Sequence, residues 1–236
     1  MEEFIIVTYN CRLNYFSNYK CNRILNYLLN ITKSNYYIIC LQGMNDYKSN
    51  EYIFNHLNIL IIPKLNKDIN LYLLTNLNID TYKYYKFTLL PPYDYLSKGN
   101  KGFHYYTLSL FDYKINIYNT ELYENINLIN NDLLNEIVTF IISNNYLNNL
   151  HLIIGSLYCH KIKLKRLLDL NKKLTNIDTN EIDDNILFYI SSKINNEYLT
   201  NFLKNDFNLK INEIIIRNEM NFSQNLPIEI RLIIEK

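Results

Sequence analysis

Five short segments, in which apolar strand-like runs meet polar residues, limit this chain more than anything else in it. They are Val7-Thr8-Tyr9-Asn10, Ile38-Ile39-Cys40-Leu41-Gln42-Gly43, Ile117-Tyr118-Asn119-Thr120-Glu121-Leu122, Leu152-Ile153-Ile154-Gly155-Ser156-Leu157-Tyr158 and Ser223-Gln224-Asn225-Leu226-Pro227-Ile228. Short, bounded, β-branched runs of this kind read as buried strands. A sheet presents a site at its strand ends, so the residues there carry what the chain can do. They are the wrong kind for catalysis.

The remaining pattern alternates strands and helices. Phe4–Tyr9 predicts a first strand, Lys20–Thr32 a helix with Ile24, Leu25, Leu28 and Leu29 near helical spacing, and Tyr36–Leu41 a second buried strand. A strand–helix–strand unit opens an α/β domain with a parallel pair. Asp46–Leu57 reads as a helix, and Ile59–Ile62, Ile69–Thr75 and Tyr82–Leu90 as strands. Gly102–Phe111 and Lys114–Thr120 read as a hairpin turning at Asp112-Tyr113. Leu128–Ser143 is a helix with Leu133, Leu134, Ile137, Phe140 and Ile141 on one face. Leu150–Ile154, Asn185–Ile190, Ile211–Arg217 and Ile228–Ile234 read as strands, and Ile162–Leu170 and Glu197–Lys204 as short helices. Neither a repeat nor a linker interrupts the pattern. The 236 residues are expected to form one domain, residues 1–236, large enough to bury ~70% of the unfolded surface.

Composition narrows the function classes. The chain has no Ala or Trp, 4 Gly, 4 Pro and 23 Tyr, with abundant Asn, Ile, Leu and Lys. Asn, Ile, Tyr and Lys have AT-rich codons, which points to an AT-rich genetic system such as a large insect virus or a parasite. That bias leaves Asn filling ordinary surface positions besides turns. Net charge is +1, against the basic excess of a dedicated nucleic-acid binder. Lys161, Lys163, Lys165, Arg166, Lys172 and Lys173 are the densest basic stretch, read as a solvated helix face or as a phosphate-facing patch, and are the sole support for a nucleic-acid partner. The acidic N-terminus passes straight into a strand, unlike a signal peptide, and no apolar run reaches the ~20 residues of a membrane span. Cys11, Cys21, Cys40 and Cys159 form no CxxC pair, so zinc is not expected and the thiols read as free. His104 and His151 lie in aromatic and apolar strand contexts that suit structural roles.

The order of these segments resembles the endonuclease/exonuclease/phosphatase superfamily, the DNase I-like fold, over Phe4–Ile234. The resemblance implies a four-layer α/β sandwich of two packed mixed sheets. The family's first strand ends in Asn, and Asn10 matches. Its Leu-Gln-Glu signature, whose Glu holds the divalent metal, is matched by Leu41 and Gln42, but Gly43 stands at the Glu. Its Asn-Thr-His-Leu strand end is matched by Asn119, Thr120 and Leu122, with Glu121 at the His. Its Gly-Asp-Phe-Asn turn keeps Gly155, with Ser156 and Tyr158 at the Asp and Asn. Its Ser-Asp-His end keeps Ser223, with Gln224 and Asn225 at the Asp and His. Asp183 and Asp184 lie near a further family Asp but out of register.

Phosphodiester hydrolysis on such a fold needs a carboxylate for a hard cation, an Asp to activate water and a His to stabilise phosphoryl charge. Gly43 offers no ligand atom, Ser156 and Gln224 no anionic base, and Glu121 and Asn225 no imidazole. The sequence therefore predicts a vestigial pocket of Asn10, Gly43, Glu121, Ser156, Tyr158, Gln224 and Asn225, with no catalytic residues, no metal and no cofactor. It predicts an inert intracellular protein, in cytoplasm or nucleus of its own or an infected cell, acting through a protein partner or self-association. Two alternatives stay open. One is an active phosphodiesterase or phosphatase with a relocated metal site at Glu121, Asp183 or Asp184. The other is a self-assembling structural protein of viral type, suggested by the Tyr content.

Overall fold

A computed structural model describes residues 2–57, 70–88, 101–111, 113–122, 127–144, 150–157, 187–191, 209–217 and 227–234. They fall into two compact units, each built around one five-stranded mixed sheet.

The first unit holds β1 (Glu2–Asn10), α1 (Asn18–Ile31), β2 (Tyr36–Gln42), α2 (Tyr47–His56), β3 (Tyr72–Thr75), β9 (Leu209–Ile216) and β10 (Ile228–Ile234). Its strand order is β3-β2-β1-β10-β9. β1 and β2 are parallel, with Ile5↔Tyr37 and Asn10↔Gln42 in register, and β10 runs antiparallel to β1. One face of this pair carries Ile5, Val7, Tyr9, Tyr37, Ile39 and Leu41, which pack with Ile24, Leu25 and Leu28 of α1 and Ile53 of α2. The opposite face, with Phe4, Ile6, Ile38 and Cys40, is buried as well. Burial on both faces is why these strands read as continuous apolar runs without alternation.

α1 begins earlier than its apolar spacing suggests because Ser17 is its N-cap, accepting from the Lys20 amide at 3.5 Å. A cap sits outside the periodic stripe, so spacing alone misplaces the start. Asp46 caps α2 in the same way, accepting from the Ser49 amide at 2.8 Å and its hydroxyl at 2.7 Å. Leu28 is fully buried, so Leu28→Ala would destabilise this unit by about 2–5 kcal/mol.

The second unit holds β4 (Asn78–Lys86), β5 (Gly102–Leu110), β6 (Tyr113–Glu121), α3 (Asn127–Ser143), β7 (Leu150–Ser156) and β8 (Leu187–Ser191), in the order β4-β5-β6-β7-β8. β5 and β6 form an antiparallel hairpin; β6, β7 and β8 are parallel. Leu133, Leu134, Ile137, Val138 and Ile141 of α3 pack on Phe103, Tyr105, Tyr118 and Ile153. Phe140 lies at ring-centroid distances of 4.4 Å from Tyr85 and 5.5 Å from Phe103.

Other boundaries differ from the sequence reading as well. β4 spans Asn78–Lys86 where Tyr82–Leu90 was expected, since this edge strand is largely exposed and Ile79 alone is apolar among its first four residues. β3 is limited to Tyr72–Thr75. The hairpin turns one residue earlier: Leu110 pairs with Tyr113, and Phe111 takes φ 54°, a conformation a bulky residue rarely adopts. The expected elements Ile59–Ile62, Ile162–Leu170 and Glu197–Lys204 lie outside the described residues. Among the described residues, no helix is long and apolar enough to cross a membrane.

Candidate functional site

In the first unit, parallel pairing brings the ends of β1 and β2 side by side, with Asn10 and Gln42 in register and fully buried. Gln42 is held inside the sheet: its Oε1 accepts from Thr8 Oγ1 at 3.3 Å and its Nε2 donates to the Cys40 carbonyl at 3.1 Å. Beyond β1 the chain stays beside β2. The Cys11 amide donates to the Gln42 carbonyl at 2.9 Å and the Leu13 amide to the Gly43 carbonyl at 2.8 Å. Asn10 stabilises this exit, its Oδ1 accepting from the Arg12 amide at 3.2 Å while Arg12 takes φ 45°. Side-chain bonds of this local type are what Asn supplies at turns.

Gly43 sits against that turn with φ +65°. A Cβ there would overlap Asn10 Oδ1 and lie 2.9 Å from the Arg12 amide nitrogen. The backbone at Gly43, where the resemblance would place a metal-binding Glu, thus leaves no space for a side chain. Lys20 adds a cation that the sequence reading passed over. Its Nζ donates to the Arg12 carbonyl at 3.0 Å, and burial lowers its pKa from the usual lysine value. The only sequence signal was the Ser17-x-x-Lys20 start of α1.

In the second unit, Glu121 of β6 and Ser156 of β7 are neighbours in register, as are Thr120 and Gly155. The Leu122 amide donates to the Ser156 carbonyl at 2.9 Å, and Lys101 Nζ to the Glu121 carbonyl at 3.0 Å. Ser156 is buried and Glu121 half-buried. Gly155 has φ +142°, and a Cβ there would overlap the Thr120 carbonyl oxygen. Sterics therefore favour glycine at this position.

One row below, His104 faces Asn119 across the hairpin, and both are buried. His104 Nδ1 pairs with the Tyr106 hydroxyl at 2.8 Å, and the Tyr84 ring meets the imidazole edge-on at 5.5 Å. Burial pushes the His104 pKa down to about 4, so it is neutral at pH 7. His151, also buried, stacks on Tyr118 and pairs with its hydroxyl at 3.1 Å. Both histidines serve the aromatic sheet.

The predicted pocket residues thus form two pairs, Asn10 with Gly43 in one unit and Glu121 with Ser156 in the other. Tyr158, Gln224 and Asn225, with Asp183 and Asp184, lie outside the described residues. The described residues do not fit a divalent metal of the family type. Gly43 has no donor atom, and no three His, Cys, Asp or Glu side chains gather among the described residues. The buried carboxylate of Glu229 is engaged by Arg217 at 2.5 and 2.8 Å and by Arg231 at 3.4 Å. Cys11, Cys21 and Cys40 are buried free thiols, and burial raises the Cys40 pKa far beyond the usual thiol range.

No protein-family model and no curated protein matches the sequence. Solved structures do match. TDP2 from D. rerio, complexed with a single-strand DNA product, aligns with TM-score 0.65 at 10% identity, over 98% of this chain and 99% of that one. Staphylococcus aureus beta toxin with bound magnesium ions aligns with TM-score 0.62 at 12% identity, over 98% and 99%. Sphingomyelinase C from Streptomyces griseocarneus aligns with TM-score 0.57 at 14% identity, over 72% and 70%.

Proposed function

Starting from the DNase I-like α/β sandwich fold that the chain shares with these structures, we propose that it is a catalytically inert relative of metal-dependent phosphodiesterases that now acts by binding. The observation that carries this reading is Gly43. The strand-end position that would hold the metal-binding carboxylate has no side chain, and its positive φ and contact with Asn10 leave no room for one. A hard cation prefers a cluster of oxygen ligands. Magnesium is bound in the beta toxin structure; here Gly43 offers no side-chain oxygen at the strand end. Glu121 at the family's His position works in the same direction, because a carboxylate repels a phosphoryl group where an imidazole would stabilise it. Retention of Asn10 has a structural reason, its bond to the Arg12 amide, and so does not itself argue for catalysis.

The same reading takes the protein to be intracellular and to come from an AT-rich genetic system, the latter supported by the Asn-, Ile-, Tyr- and Lys-rich composition. Titration calorimetry with Mg²⁺ and Mn²⁺ tests the metal half of the proposal. The reading predicts no stoichiometric binding at millimolar metal. Stoichiometric binding that disappears in Glu121→Gln would replace it with a relocated, working metal site.

A further inference from the structure

The surface where α1 and α2 begin gathers the exposed aromatic side chains of the first unit. Tyr15, Phe16, Tyr19 and Tyr47 are 70%, 40%, 66% and 75% exposed. The other exposed large apolar residues among those described are Leu29 of α1 and, in the second unit, Tyr82 and Phe111. The two segments that carry these four are tied to each other. Ser17 starts α1 between Phe16 and Tyr19. The Asp46 amide, one residue before Tyr47, donates to the Leu13 carbonyl at 2.7 Å. Asn45 Nδ2 donates to Asn14 Oδ1 at 2.7 Å, and Phe16 meets Tyr52 of α2 edge-on at 5.9 Å.

The surface is also basic. Arg12, Lys20, Arg23 and Lys48 lie on these segments, against Asp46 and Glu51, four cations to two anions. The Asp46 carboxylate is turned inward as the α2 cap. The first turn of α1 holds no acidic residue and its cap, Ser17, is neutral, so its positive N-terminal end adds to the field. Arg23 holds Tyr19 in place, donating to its hydroxyl at 2.9 Å with the guanidinium 5.7 Å from the ring centroid. Preformed Tyr and Arg anchors of this kind dominate protein–protein affinity.

We propose that this surface docks an acidic peptide segment of a partner protein, which buries apolar side chains among Tyr15, Phe16, Tyr19 and Tyr47 while its carboxylates face Arg23, Lys20 and Lys48. A peptide is favoured over nucleic acid because the chain as a whole lacks the basic excess of a nucleic-acid binder. The proposal rests on the binding reading above and supplies its partner class.

The test uses the full chain and a fluorescent random copolymer of glutamate and tyrosine, with labelled oligothymidylate and phosphatidylserine vesicles in parallel. Saturable copolymer binding is expected, weakening with salt. It should fall at least about tenfold in the combined variant Tyr15→Ser, Tyr19→Ser, Tyr47→Ser, and again in Arg23→Glu. Both variants change exposed or half-exposed groups, and unchanged circular dichroism and unfolding midpoints would show that they fold. Absent copolymer binding, binding indifferent to both variants, or tighter binding of oligothymidylate or vesicles through the same residues would overturn the proposal. Hydrolysis measured on the same preparations is an independent readout: turnover would overturn the inert reading and leave the docking result standing.

Discussion

Gly43 lies against Asn10 so closely that a Cβ at position 43 would overlap the Asn10 side-chain oxygen. Asn10 binds the Arg12 amide in the turn after β1, and Gly43, with a positive φ of its own at the end of β2, packs against that turn. Gly43→Ala should therefore destabilise the protein by about 1–3 kcal/mol, from backbone strain together with displacement of Asn10. Adding Asn10→Ala should cost less in that background than alone, because it removes one of the two clashes, and denaturant midpoints of the four variants would measure the coupling. Additive effects would mean that the two side-chain positions do not touch. Gly43→Glu should be strained in the same way, so the family carboxylate cannot be reinstated by that change alone.

Glu229 is the buried charge of the first unit. It faces Val7 on the helix-covered side of the sheet and is clamped by Arg217 and Arg231. Burial, followed by this carboxylate, holds the nearby Tyr27 hydroxyl well above its ordinary pKa. Glu229→Gln leaves the Arg217 guanidinium without its anion and Arg231 with Glu3 as its remaining one, and should lower stability by about 3 kcal/mol, at the lower end for a broken buried pair because both arginines keep some contact with water. Equilibrium unfolding in urea would read the loss.

His104 gives the second unit a defined acid response. Its folded pKa of about 4 lies below the unfolded value of 6.5, so the unfolded chain binds a proton that the folded chain does not. The stability contribution is complete above pH 6.5, declines as pH falls, and is gone below about 4. The slope in that window is on the order of 1 kcal/mol per pH unit. His104→Gln, set beside the parent protein, should flatten the curve between pH 6.5 and 4 and leave it unchanged above. An identical slope in both proteins would place His104 in contact with water.

The strand frame is legible in the sequence because both faces of β1 and β2 are buried, leaving apolar runs that composition bias does not blur. α1, β2, α3 and β10 are foreseen within a few residues. Edges and caps are less legible. β4 is exposed and carries little apolar signal, and the Phe111 turn uses a residue no turn rule selects. Asn misleads most. Expected to fill surface positions besides turns, it also occupies buried positions at Asn50, Asn116 and Asn130, and the Asn50 amide donates to the Met44 carbonyl at 2.9 Å. The Asn116 Oδ1 accepts from Tyr105 and Thr107 at 3.2 and 3.0 Å. Tyrosine is divided: Tyr9, Tyr105, Tyr106 and Tyr118 are core, while Tyr15, Tyr19 and Tyr47 face solvent. Position 43 could be read as a missing ligand from the sequence, but the closure of the turn around it could not.

The most direct test of the central claim is phosphodiester hydrolysis by the purified protein in millimolar Mg²⁺, with plasmid DNA, RNA, a phosphoinositide and sphingomyelin as substrates and Asn10→Ala prepared in parallel. The account predicts that neither protein exceeds background on any of them. Magnesium-dependent turnover by the parent protein that Asn10→Ala abolishes would contradict it and make the strand-end residues a working active site.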